Sequence, residues 1–512
     1  MPQSRRDFIK FVVAGSVTAG CPVDSTLVAA PDGAGALRVE GEHFDICHQL
    51  RDGHRFEGPA ATRNAAVVII GGGVAGLSAA YFLRGRDFLL LEKEDHFGGN
   101  AYQEEYDGRP FATGSAFADK GDYGDQLSTE MGLRLLPVDN PDPTIVNKTF
   151  VPATWRTGID ELPYPKEVRA SFRKFREEIL KIKIEGRAAE LDSEPFSKYT
   201  AGYAPEVQQW WDGYGPSNWG ATTGDSSALI GIGSLQYVAT GAEHRVILPG
   251  GLGCITHRLV EVLQPQYKER MLGSATVVSI SRSKDGVQVL YQHEGQLTAV
   301  AAKVAIVCVP KFIASRLVGG LPAGQLTAMR SMRYAPYPVV NLIFDKPVYN
   351  RGYDTWCPGN SFTDFIVADW TVRNTAGYRQ KNNILTFYAP LRENQRFTLL
   401  QEATCRNLAA RVLADFQKLM PEFNVDPVEV RLYRRGHPMY MAVPGQFTKT
   451  RIAAAQPMDR IFFGNADSGG PESLTSEAIR ISKAASEWAE LVLVGKPGAR
   501  AIAEKALSLH SE

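Results

Sequence analysis

A strand, a glycine-rich turn, a helix of small residues and a second strand follow one another between residues 65 and 92, and few folds accept that order. Residues 65–70 (Ala-Ala-Val-Val-Ile-Ile) form an apolar run bounded by glycine, the pattern of a parallel strand buried on both faces. They lead directly into Gly71-Gly72-Gly73-Val74-Ala75-Gly76, a G-x-G-x-x-G run. Residues 77–83 keep helical spacing, with Ala79 and Ala80 toward the sheet, and a second apolar run, Phe88–Leu91, ends at Glu92. Each part has a physical task. Gly71 makes the tight turn, Gly73 lets the backbone approach a pyrophosphate at the helix N-terminus, and Gly76 allows close helix–strand packing. The Glu92 carboxylate accepts from ribose hydroxyls. The unit predicts a Rossmann-type dinucleotide-binding fold of the α/β class.

Composition narrows the remaining choices. At 512 residues with 44 % hydrophobic residues, the chain has the make-up of a soluble globular protein of more than one domain. Lys plus Arg equals Asp plus Glu at 56 each, which argues against a nucleic-acid partner. The six cysteines are far apart and show no CxxC, CxxCH or Cys/His zinc spacing, so no metal site is expected. They leave room for one or two disulfides in an exported protein.

The first thirty residues read as an address. Arg5 and Arg6, then Phe8, Ile9 and Lys10, then an apolar stretch from residue 11 to 20, resemble a twin-arginine export signal. The stretch is shorter than the roughly 20 residues that span a bilayer. Small residues at Val28-Ala29-Ala30 offer a cleavage site, and Thr18-Ala19-Gly20-Cys21 looks like a lipoprotein box that would put a lipid anchor on Cys21. The expected location is the periplasm, which holds no pool of nicotinamide cofactor.

Further motifs point to the identity of the dinucleotide. After Glu92 and Lys93 come Gly98-Gly99-Asn100; Thr113-Gly114-Ser115 follows; Leu248-Pro249-Gly250-Gly251-Leu252 precedes a helical stretch. Residues 275–309 form a strand meander that contains Val277 and ends in Val309-Pro310, and residues 461–467 read Ile-Phe-Phe-Gly-Asn-Ala-Asp ahead of a long helix. In this succession the chain resembles the flavin-containing amine oxidase superfamily, with Asn100 in place of that family's usual Arg and Ala466 in place of Gly. The resemblance implies FAD rather than NAD, held by Gly71, Gly73, Val74, Ala75, Gly76, Glu92, Lys93, Gly98, Gly99, Asn100, Gly114, Ser115, Val277, Val309 and Asp467. It places Leu474 and Thr475, at the start of the closing helix, against the flavin pyrimidine ring, where unpaired N–H groups favour an anionic reduced flavin. No cysteine adjoins the closing motif in sequence, so the flavin is expected to be non-covalent. The implied architecture is an FAD-binding domain (amine oxidase and glutathione-reductase-like) made of residues 64–118, 243–312 and 455–496. It is interleaved with an α+β substrate domain of residues 119–242 and 313–454, between an N-terminal extension (31–63) and a tail (497–512).

The substrate residues are less marked. Trp210-Trp211-Asp212, Ser217-Asn218-Trp219 and Asp225 mix aromatic and acidic groups, which suits a cationic amine. The bland alternative is an aromatic core with a turn. Together with Phe44–Gly53 and Arg435-Gly436-His437, this stretch is similar to bacterial spermidine-dehydrogenase-like proteins. The expected reaction is hydride transfer from an amine, with polyamines among the candidate substrates, to flavin N5, giving an imine that hydrolyses. Trp219 and Asp212 would bind the amine, His437 would remove its proton, and Asn341 would orient a water where many family members carry a Lys. Without that Lys, a quinone or cytochrome competes with oxygen as electron acceptor. Two rivals stay open: a flavin desaturase or isomerase with an apolar, acid-free pocket, and a non-catalytic FAD-binding partner protein with a blocked flavin face.

Overall fold

The computed structural model describes residues 36–139, 142–241, 244–373 and 378–508. The expected export signal, its expected cleavage site and Cys21 lie outside the described residues.

The strand Arg63–Ile70 sits inside a seven-stranded sheet between Phe88–Leu91 and the long strand Gln296–Val307, parallel to both. Val67, Val68 and Ile69 are fully buried, as a strand covered on both faces requires. Gln296–Val307 forks. Its first half continues the meander Ala275–Ser283 and Gly286–His293, and its second half pairs with Arg63–Ile70 and with Ile461–Phe463. The helix Val74–Phe82 lies on this sheet, and the closing helix Thr475–Leu493 packs against it: Ser482 Oγ donates to Ala75 O at 2.7 Å. Gly76 permits the close approach, since a Cβ there would stand 1.8 Å from Gly71 O.

A second sheet has eight strands. Its order is Ala36–Gly41, Glu429–Arg434, Val339–Phe344, Asn383–Tyr388, Asp364–Val367, Asp354–Trp356, Thr144–Val146 and Thr149–Val151. The helix Glu402–Leu419 covers one face through Leu408, Val412 and Phe416. Tyr337, Val339, Ile366, Tyr388 and Tyr433 cluster apart from that layer. The first strand comes from the N-terminal extension, which the sequence left outside both domains; it runs parallel to Glu429–Arg434, with Ala36 opposite Glu429. Helices Lys166–Leu180, Pro205–Trp219 and Ala228–Thr240 form a third body around Trp155, Phe172, Phe175, Phe196, Trp210 and Trp211. The five described cysteines are free, and no helix among the described residues is long and apolar enough to cross a membrane.

Candidate active site

One cavity of about 1660 Å³ is lined by the seven-stranded sheet, the second sheet and the helical body together. The glycine run forms one wall, where Gly71, Gly73, Val74 and Ala75 face the cavity. Gly71 adopts φ +101°, and a Cβ on it would meet Val309 Cγ1 at 3.0 Å and Cys308 O at 3.1 Å. The first N–H groups of Val74–Phe82 have no acceptor within the helix, and Val74 and Ala75 present them to this wall. Gly76 packs behind it, off the cavity. Glu92 closes the wall; its carboxylate accepts from Gly72 N at 2.5 Å and Glu94 N at 2.9 Å, and burial pushes its pKa up.

Lys93, Gly98, Gly99, Asn100, Gly114, Ser115, Val277, Val309, Leu474 and Thr475 all lie on the same lining. Leu474 caps the closing helix and Thr475 is its first residue. Asp467 does not reach the cavity. It is fully buried, paired with the Lys311 ammonium at 2.5 Å, and accepts from Lys311 N at 2.8 Å and Tyr334 OH at 2.7 Å. The expected cofactor acid is thus a structural ion pair joining the closing motif to the segment after Val309-Pro310, and Asn465 and Ala466 face the cavity in its place.

The expected catalytic residues fare worse. Asn341 is fully buried in the middle of its strand; its amide donates to Ala112 O at 3.1 Å and Thr386 Oγ1 at 2.7 Å, and it is absent from the lining. It cannot orient a water in the cavity. Trp219 is a core residue packed on Trp211 and Tyr214. Asp212 holds a loop by accepting from Thr223 N at 2.8 Å and Thr223 Oγ1 at 2.7 Å, while Asp225 pairs with Arg333 at 3.3 Å. Neither carboxylate lines the cavity. His437 does line it, with its ring 4.4 Å from that of Phe312. Burial and the Arg396 charge lower its pKa to about 3, so the imidazole is a poor acceptor for an ammonium proton.

The cavity has its own acids. Asp119, Asp354, Asp364 and Glu472 line it, alongside the rings of Tyr214, Trp356, Tyr337 and Tyr388. Asp354 and Asp364 stand on adjacent antiparallel strands and share a hydrogen bond; Arg245 holds Asp354 at 3.3 Å and Asp142 at 3.1 Å. Thr363 Oγ1 donates to Asp364 at 2.5 Å, and Ser217, which bonds it too, lies 2.6 Å from Tyr337 OH. Burial pushes Asp364 up to about 7. Burial and the nearby Asp119 charge push Glu472 up to about 7 as well. No sequence signal marked the strand acids, since their neighbours come from four distant segments. Glu472 was within reach: it lies two residues before the expected start of the closing helix.

A profile of flavin-containing amine oxidoreductases matches residues 74–487, most of the chain. The chain belongs to that family. Among curated relatives, this flavin amine oxidoreductase is 24 % identical over 275 residues to the oxidoreductase PigB of Serratia sp. (strain ATCC 39006). The match covers 49 % of the chain and 39 % of PigB, so the chain spans well under two thirds of that relative. Among solved structures, a putrescine oxidase variant superposes with a TM-score of 0.67 at 18 % identity, covering 85 % of this chain and all of that one. Cyclohexylamine oxidase from Brevibacterium oxydans IH-35A gives 0.64 at 18 % identity, over 86 % of this chain and 99 % of that one. These likenesses show the shared fold. The family implies a flavin, and the wall fits one: free helix N–H groups for a pyrophosphate, glycines where side chains would intrude, and a buried carboxylate at the ribose position.

Proposed function

We propose that this flavin amine oxidoreductase binds FAD non-covalently and oxidises a cationic amine, with polyamines as the favoured class. What supports this is one part of the cavity wall, where Asp119, Asp354, Asp364 and Glu472 line the space together with aromatic rings and Arg245 is bonded to Asp354. Such a wall attracts an ammonium through charge and through ring faces. It runs counter to an apolar desaturase pocket, although Asp212 and Asp225 are not its source. An open cavity also counts against a blocked, non-catalytic flavin face. The thiols on the lining are Cys47 and Cys308, and burial pushes Cys308 up to about 12, which withholds the thiolate a covalent flavin link needs.

Bound FAD supplies a hydride acceptor for the α-carbon of a neutral amine. The chain must first bind the cation and then take its proton. Asp364 and Glu472, each held at about 7, are the groups suited to both tasks. The imine formed leaves for hydrolysis in water.

Asn341 is engaged elsewhere, and Lys93, at the dinucleotide wall, is the one lysine on the cavity among the described residues. With no lysine-held water to serve oxygen, a quinone or cytochrome is the proposed acceptor. Residues 4–10 support export to the periplasm by the twin-arginine route, and Cys21 is the proposed lipid site.

Anaerobic mixing of the flavin-loaded protein with spermidine, putrescine and simple monoamines should bleach the flavin, fastest with the polyamines. If none of them reduces it, the amine function is wrong. Readmission of air should then reoxidise the flavin slowly, and rapid reoxidation would overturn the proposed acceptor.

A further inference from the structure

Arg435 follows the strand Glu429–Arg434 and enters the cavity wall with only 9 % of its surface exposed. Its guanidinium donates from Nη1 to Gly99 O at 2.9 Å and Asn100 Oδ1 at 3.0 Å, and from Nη2 to Thr113 Oγ1 at 2.9 Å. All three acceptors are neutral. Nε has no acceptor among the described residues. The carboxylates that act on it, Glu42 and Glu94, do so across space, and Glu94 is bonded to Lys93 and His43. Gly114 lets its loop pack against the Asn100 segment that holds the group, since a Cβ there would stand 2.2 Å from Asn100 O. A cation buried against neutral partners is destabilising unless an anion joins it. Lys311 and Arg245 have that anion in contact, Asp467 for the first and Asp142 and Asp354 for the second; Arg451 is bonded to backbone carbonyls as Arg435 is to neutral groups, but it lies off the cavity.

We propose that Arg435 is the counter-cation of bound FAD, a charge left unpaired by the chain so that the anionic cofactor completes it. This rests on the flavin site and not on the amine substrate. Two parts of FAD carry the required charge: the pyrophosphate, and the pyrimidine edge of the reduced ring. Burial already holds the guanidinium below its usual pKa, in keeping with a missing anion.

The test compares wild type with Arg435→Met and Arg435→Lys, each purified as holoprotein and after removal of FAD. Arg435→Met should weaken FAD binding by about tenfold or more, the scale of a charge-assisted contact, and Arg435→Lys should recover most of that loss. The cofactor-free Met variant should unfold at or above the temperature of cofactor-free wild type, because an uncompensated charge is gone, while its gain on adding FAD shrinks. ADP binding and the flavin midpoint potential separate the two sources. Weakened ADP binding assigns the pyrophosphate; unchanged ADP binding with a lowered potential assigns the ring. Wild-type FAD affinity in Arg435→Met would overturn the proposal. So would a cofactor-free Met variant that unfolds early yet keeps the full FAD-induced gain, for then Arg435 only props the loops at Gly99 and Thr113. Amine turnover enters none of these readings, so failure of the amine function leaves them standing.

Discussion

Asp364 and Glu472 set the pH response expected of this cavity. Each ionises near pH 7, and an ionised wall binds a cation better than a neutral one. Amine kcat/KM should therefore rise with pH through about 7. Asp364→Asn should flatten that rise and lower kcat/KM by about tenfold at pH 8, as expected for one charged hydrogen bond. Stability moves the opposite way. The folded pKa of Asp364 lies above its unfolded value, so its contribution is complete below the unfolded pKa of about 3.9 and is lost as the pH rises through about 7. Thermal unfolding of Asp364→Asn should gain on wild type between pH 5 and pH 8; a constant difference would mean that Asp364 does not titrate there. The sequence revealed the glycines at 71, 73 and 76 because one short segment dictates their spacing. Its expected substrate acid, Asp212, falls off the cavity because adjacency along a helix is not adjacency in space: Trp210 and Trp211 turn into the core while Asp212 turns to Thr223.

At the level of elements, the seven-stranded sheet and its two helices were legible, since each is written in local period and in glycine position. The second sheet was not. Its strands come from four separated stretches, and the pairing of Ala36–Gly41 with Glu429–Arg434 leaves no local trace. The buried ion pair between Lys311 and Asp467 fastens the segment after the meander to the closing motif, with Ser468 Oγ accepting from the same ammonium at 2.6 Å. Lys311→Met leaves the buried Asp467 carboxylate without its counter-charge and should cost about 3–5 kcal/mol, read from the denaturant midpoint. Lys311→Met combined with Asp467→Leu should cost clearly less. An additive loss would mean the two groups do not act as a pair.

For the whole molecule, export and cofactor binding make a joint prediction. Replacing Arg5 and Arg6 by Lys should leave folded, flavin-loaded protein in the cytoplasm and none in the periplasm, as read by fractionation and flavin absorbance. Periplasmic protein from that variant would refute the twin-arginine route. The parallel pairing of Ala36–Gly41 with Glu429–Arg434 has a consequence for assembly. During synthesis the earliest described strand waits without a partner until nearly the whole chain has emerged, and closing so long a loop belongs to the slow, late events of folding. Arg435 follows the partner strand at once, so the zipper that captures the leading strand also brings the unpaired cation to the cavity. The chain thus finishes its sheet edge and becomes ready to hold its ligand in a single closing step. A strand beginning just past the proposed export address serves as the seal on a completed molecule.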